Sequence, residues 1–386
     1  MNSRIATGLS AALLTATLAT PALAAPCPTR ASWPTESFPD DSATTKSARA
    51  TEVSALEAYA FPVPLQGTET DRSGAKGRRT DALLIIKGGK VIYERYDRSW
   101  TPTLRHEAWS VSKSVTEALV GIAVRKGALA LTDSVCTHLP LDRKESCSVT
   151  VQNLLELGSG FDWRAGYEHG HHQTSSVLAM LYGQGRHDMA QFVGSHRLRA
   201  APGTAYRYST GESTLLAAVV DEALVPKLGQ DYPWTELFDK VGMKSAVFER
   251  DAKGHLIGGA RFFANARDYA RFGYLYLNDG CWNTERILPE NWVAETLRVG
   301  VPFQTTPQSG GTEGRQWWVN TGLPDMGIPT PWPDAPADTY AAIGHWGQYV
   351  AVIPSLDTVA VRLGDTRESA AFDENIFFKL VAAVAQ

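Results

Sequence analysis

The sequence has little charge imbalance: 37 Lys and Arg stand against 41 Asp and Glu, a formal net charge of -4. Without a basic stripe there is no electrostatic footprint for a phosphate backbone, so no nucleic-acid partner is expected. Cysteine is scarce. Cys27, Cys136, Cys147 and Cys281 include no C-x-x-C pair, which argues against a cysteine zinc site. After the first 25 residues no apolar run approaches the ~18 residues of a membrane span, so no membrane insertion is expected. There is no internal repeat, which excludes solenoids and propellers.

What is present reads as an ordinary globular chain. Of its 386 residues, 44 % are hydrophobic and 20 % charged, enough for one large unit or two interlocked ones. Arg4, an apolar stretch from Ile5 to Ala19 and the small-residue triplet Ala22-Leu23-Ala24 form a signal-peptide pattern over about 1–24. The expected location is therefore periplasmic or secreted. Pro26 directly before Cys27 argues against a lipid-anchored cysteine. Four cysteines in an exported chain favour disulfides. Cys136 and Cys147 enclose a short loop and form the preferred pair, leaving Cys27 for Cys281; the other pairings stay open.

The organisation expected is a signal peptide (1–25), an N-terminal arm rich in Pro, Ser, Thr and Ala (26–55) and one catalytic unit (56–386). Ala82 to Lys87 and Lys90 to Tyr96 flank Gly88-Gly89 as a hairpin. Tyr349 to Ile353 and Thr358 to Leu363 form a second, and an apolar helix runs from about Asp373 to Val384. Strands near both ends with helices between predict an α/β (α+β) fold. Its antiparallel sheet, from 56–125 and 255–386, is flanked by helices, with an inserted all-helical part at about 126–254. Helices are expected over Lys113 to Lys126, Val151 to Leu157, Ser213 to Ala223 and Asn265 to Asn278.

Ser110-Val111-Ser112-Lys113 is an S-x-x-K at a loop-to-helix junction. Positions i and i+3 share a helix face, so hydroxyl and amine can meet. Serine needs a base to become a nucleophile, and lysine serves as one when burial lowers its pKa. The bland alternative is a capped helix start with a solvated lysine.

The flanking sequence decides for chemistry. WSVSKSVTEALVGIAVRKGALALTDSVCTHLP (109–140), LLELGSGFDW (154–163), PGTAYRYSTGESTLL (202–216), RDYARFG (267–273) and GHWGQYVAVIP (344–354) occur in this order. Together they resemble the β-lactamase-like, penicillin-recognising serine hydrolases, nearest the branch of 6-aminohexanoate-dimer hydrolases and carboxylesterases with a class C β-lactamase fold. The resemblance implies a β-lactamase/transpeptidase-like fold and a cofactor-free acyl-enzyme mechanism on a small-molecule amide or ester.

It also implies site residues. Ser110 is the nucleophile, Lys113 its base, and Tyr208 the proton shuttle to the leaving group, with Tyr206 as rival. The N–H groups of Ser110 and Gln348 form the oxyanion hole. Thr210, His345, Trp346 and Gly347 are expected at the substrate, Gly347 to let it approach the backbone, and Tyr167 on a loop over the cleft. Thr210 stands where class C enzymes carry Asn and His345 where β-lactamases carry Lys, which disfavours β-lactam turnover. A β-lactamase or D-Ala-D-Ala carboxypeptidase is the second reading, and a catalytically silent binding protein the third. Glu168-His169-Gly170-His171-His172 invites a metal reading, but no ligand at usable spacing accompanies it, and no metal is expected. Trp317-Trp318 serves either as floor of the acyl pocket or as core. Oligomeric state is left open.

Overall fold

The computed structural model describes residues 26–62, 77–166, 173–308, 310–367 and 371–386. The signal-peptide pattern, Tyr167 and the His-rich run to His172 lie outside the described residues.

The centre is a seven-stranded antiparallel sheet. Its strands are β1 (Thr80–Lys87), β2 (Lys90–Tyr96), β3 (Thr312–Glu313), β4 (Trp318–Val319), β5 (Tyr340–Gly344), β6 (Gln348–Ile353) and β7 (Thr358–Gly364), in the order β2-β1-β7-β6-β5-β4-β3. Both expected hairpins form, and β1 pairs with β7, Leu84 opposite Val361, so the two ends of the chain meet in one sheet.

Side chains alternate between two buried faces, as the period of two requires. Leu84, Ile86, Val350, Val352, Val359 and Val361 enter one core; Leu83, Ile85, Ala351, Ile353 and Ala360 enter the other. Burial on both faces is why these strands read as unbroken apolar runs. Each fully buried Leu or Ile contributes about 1.5–3 kcal/mol.

Five longer helices are α1 (Ala50–Ala60), α2 (Val111–Arg125), α3 (Thr210–Leu228), α4 (Ala266–Leu277) and α5 (Glu374–Ala385); α3 packs on α2 and the short helices rather than on the sheet. Helices α1 and α5 share the second core with the sheet; α2, α3 and α4 share the first. The short helices Val135–His138, Val151–Leu155, Ser176–Leu181 and Met189–Gly194 occupy the expected helical stretch, and the first core runs continuously through them. A mixed α/β architecture with an antiparallel sheet is thus what the sequence folds into.

The segment 26–55 carries helical structure. Ser42–Ala48 and the start of α1 are helical, and Asp40 bridges Val91. Its alanine and serine content hides a helix whose apolar face, Val53 and Leu56, is narrow. The disulfides Cys27–Cys281 and Cys136–Cys147 form the preferred pairing, the first tying the arm to the end of α4. RDYARFG is structural: Asp268 accepts from the Ser245 amide and hydroxyl, and Arg271 donates to Asp268 and to the Pro34 carbonyl of the arm.

Candidate active site

Ser110 is the residue before α2, and Trp109 ahead of it holds φ +49°. A non-glycine residue there costs on the order of 1 kcal/mol or more and persists only where the surroundings impose it. Ser112 fixes the turn by donating to the Trp109 carbonyl and accepting from the Phe262 amide.

One helical turn on, Lys113 is 1 % exposed. Its Nζ lies 3.0 Å from Ser110 Oγ, 2.9 Å from the Gly259 carbonyl it donates to, and 3.4 Å from Thr210 Oγ1. Burial pushes the lysine pKa down to about 7, against the opposing pull of the Glu313 carboxylate. The solvated-lysine alternative is therefore excluded.

Gly259 explains how a carbonyl reaches this amine. The 258–259 segment passes so close to α3 that a Cβ on Gly259 would lie 2.1 Å from the Thr210 carbonyl oxygen.

Tyr208, Ser209 and Thr210 open α3. Ser209 caps the helix by accepting from the Glu212 amide at 3.0 Å. In a capping box Glu212 would reach back to the cap. Instead its carboxylate accepts from the Ser159 amide at 3.1 Å, bracing LLELGSGFDW against the helix start. Tyr208 is half-buried, with Lys113 Nζ 4.9 Å from its ring centroid and Trp318 packed beside it at 6.0 Å. Tyr206, the rival, is buried, and its hydroxyl donates to Glu313. Burial and that carboxylate hold its phenol well above 10, which unsuits it to proton exchange near neutrality. Thr210, expected at the substrate, is 1 % exposed beneath the lysine.

His345, Trp346 and Gly347 form the turn between β5 and β6. Trp109 packs against His345 at 5.5 Å and Trp346 at 5.1 Å between centroids. Gly347 has φ +86°, and a Cβ there would lie 2.2 Å from Arg362 Nη1. Arg362 and the positive φ together require glycine at this position. Arg362 is fully buried and donates to the Gly347 carbonyl at 2.6 Å, Thr80 Oγ1 at 2.9 Å and Thr366 Oγ1 at 2.7 Å. Gln348 is also buried; its amide donates to the His345 and Gly364 carbonyls and accepts from the Gly364 N–H. Trp317 is core, stacked on Phe272, while half-buried Trp318 faces Tyr208.

Glu313, Arg362 and Gly259 escaped sequence reasoning. A lone arginine inside the apolar strand Thr-Val-Ala-Val-Arg-Leu-Gly (358–364) was the available signal; an arginine in such a run must find several acceptors.

The Beta-lactamase family model matches residues 65–383. The chain belongs to the β-lactamase family. Its relatives include the 6-aminohexanoate-dimer hydrolase of Paenarthrobacter ureafaciens, 25 % identical over 300 residues, covering 74 % of this chain and 72 % of that one. A Bacillus anthracis protein assigned as a 6-aminohexanoate-dimer hydrolase superposes with TM-score 0.65 at 21 % identity, over 80 % of this chain and 79 % of the other. A class C β-lactamase superposes with TM-score 0.60 at 14 % identity, over 87 % and 97 %. These two solved structures share the family fold with this chain. Among the described residues no helix is long and apolar enough to cross a membrane.

Proposed function

We propose that this β-lactamase-family protein is an exported serine hydrolase that cleaves a linear amide or ester through a Ser110 acyl-enzyme. The observation that carries the reading is the buried Lys113 amine 3.0 Å from Ser110 Oγ, with its pKa near 7. A neutral amine at that distance takes the serine proton as Oγ attacks the carbonyl carbon. The tetrahedral oxyanion forms against the Ser110 and Gln348 N–H groups, and such donors are worth a few kcal/mol of barrier. Tyr208, beside the resulting ammonium, passes a proton to the leaving amine or alkoxide. Water, activated by the Lys113–Tyr208 pair, then releases the acid. The reaction needs no cofactor.

Substrate class follows from five residues. Thr210 is buried under the lysine and lacks an amide to hold a β-lactam side chain, and His345 is not a permanent cation for a penicillin carboxylate. Trp109, Trp346 and Trp318 supply apolar surface around the nucleophile, which suits an aliphatic acyl chain. The name of the Paenarthrobacter relative supports a linear amide. The signal-peptide pattern and two disulfides support export.

Labelling with a fluorophosphonate, read by intact mass, tests the nucleophile: one adduct forms on wild type and none on Ser110→Ala. Rates on p-nitrophenyl butyrate, 6-aminohexanoate dimer and nitrocefin test the class. Nitrocefin turnover faster than both linear substrates makes the protein a β-lactamase, and absence of labelling by every probe makes it a binding protein.

A further inference from the structure

We infer a divalent-cation site, best suited to zinc, formed by Asp188, Asp251 and His255, none of which the proposed catalysis uses. The three side chains each offer a ligand atom, all within 4.8 Å of one another. Two carboxylates this close repel, and among the described residues no lysine or arginine pairs with either one.

The second observation is the imidazole. His255 is 6 % exposed. Glu222 Oε1 lies 2.9 Å from its Nε2, which fixes the ring proton there. Nδ1 is buried and has no hydrogen-bond partner. A buried ring nitrogen without a partner is rare, and its lone pair is what a metal takes. A carboxylate holding the far nitrogen of a metal-bound histidine is the usual supporting arrangement, fixing the tautomer and raising ligand basicity.

The carboxylates are held in place by the backbone. Asp188 caps the helix Met189–Gly194 by accepting from the Gln191 amide at 3.0 Å. Asp251 accepts from the amides of Met189 at 2.9 Å, Lys253 at 2.9 Å and His255 at 3.1 Å. One imidazole and two carboxylates suit zinc with a water in the fourth position, whereas calcium takes oxygen ligands. No metal was expected from the sequence, where Asp188 stands more than 60 positions before Asp251 and His255. The ion would tie the 188 and 251–255 loops to Glu222 on α3, the helix whose first residues meet Lys113.

The test is zinc titration of the EDTA-treated full chain by calorimetry, alone and on Asp188→Asn, His255→Gln and a His169→Ala/His171→Ala/His172→Ala variant. Asn caps a helix as well as Asp does, so Asp188→Asn keeps the fold while losing the charge. One zinc per chain is expected for wild type and for the triple variant, with affinity falling at least about tenfold in Asp188→Asn and His255→Gln. Zinc in hundredfold excess over Kd should raise Tm by about 3 °C, and calcium should not raise it. Absence of a one-equivalent site, its loss in the triple variant, or unchanged affinity in Asp188→Asn overturns the inference. If His255→Gln does not fold, Asp188→Asn decides.

Discussion

At the scale of single residues the site is an exercise in desolvation. Lys113 is basic enough to take a proton and uncharged enough to do so near neutrality because water is excluded from it. Glu313 opposes this, since its negative charge favours the ammonium. Burial also pushes Glu313 itself up to about 7, against the Tyr206 hydroxyl and the Lys113 ammonium, which favour its carboxylate. In the proposed mechanism the active form carries a neutral amine, so kcat/KM should be high above about pH 7 and fall as pH drops through it. Glu313→Gln keeps an acceptor for Tyr206 and removes the charge, so the acid limb should move to lower pH. A kcat/KM profile on p-nitrophenyl butyrate checks this, and an unmoved limb or one displaced upward contradicts it. Ser110 and Lys113 were legible in the sequence because helical spacing alone makes them meet. Glu313 was not: it comes from a two-residue strand 200 positions later in the chain, and only the fold brings it beside the lysine.

At the scale of elements, three short segments position the chemistry: the turn before α2, the start of α3 and the turn between β5 and β6. The last is held from behind by Arg362 and Gln348. Gly347→Ala would drive a methyl into the Arg362 guanidinium at a backbone conformation alanine resists. Its displacement should cost about 10²-fold in kcat/KM, with far-UV circular dichroism unchanged; activity within twofold of wild type would remove this turn from the mechanism. Hairpins and long helices were readable because their periodicity is local. Helix α3 extends beyond the Ser213 to Ala223 expected from its apolar pattern, to Thr210–Leu228. Tertiary packing buries its first turn, Thr210 to Glu212, and no local pattern announces that. The helix in the arm was hidden for a similar reason, since its few apolar residues matter only against α5.

At the scale of the whole molecule, the fold holds several buried carboxyl groups. Burial raises Glu117 and Glu313 to about 7 and Glu212 to about 8. Between about pH 4.5 and these values the folded state keeps protons that the unfolded chain has lost, so stability falls as pH rises through that window. Lys113 acts in the opposite direction, but only between about 7 and 10.5, where the unfolded chain holds the extra proton. Tm should therefore decline from about pH 5 to about pH 7. Glu117→Gln, whose amide oxygen accepts from one of the Tyr276 and Thr296 hydroxyls and whose amide N–H donates to the other, should flatten the decline; an equally steep decline in the variant would exclude Glu117 as a source. The layered sandwich and the joining of both chain ends in one sheet were foreseeable from strands at the termini and helices between. The continuity of one core through sheet-covering and inserted helices was not, because apolar faces do not state their partners.

The central claim is that the Lys113 amine activates Ser110, and the pre-steady-state burst of p-nitrophenol on mixing enzyme with p-nitrophenyl butyrate reads that step directly. Lys113→Met should slow the burst by about 10³-fold while leaving the fold intact. A variant that acylates Ser110 within tenfold of the wild-type rate would contradict the account.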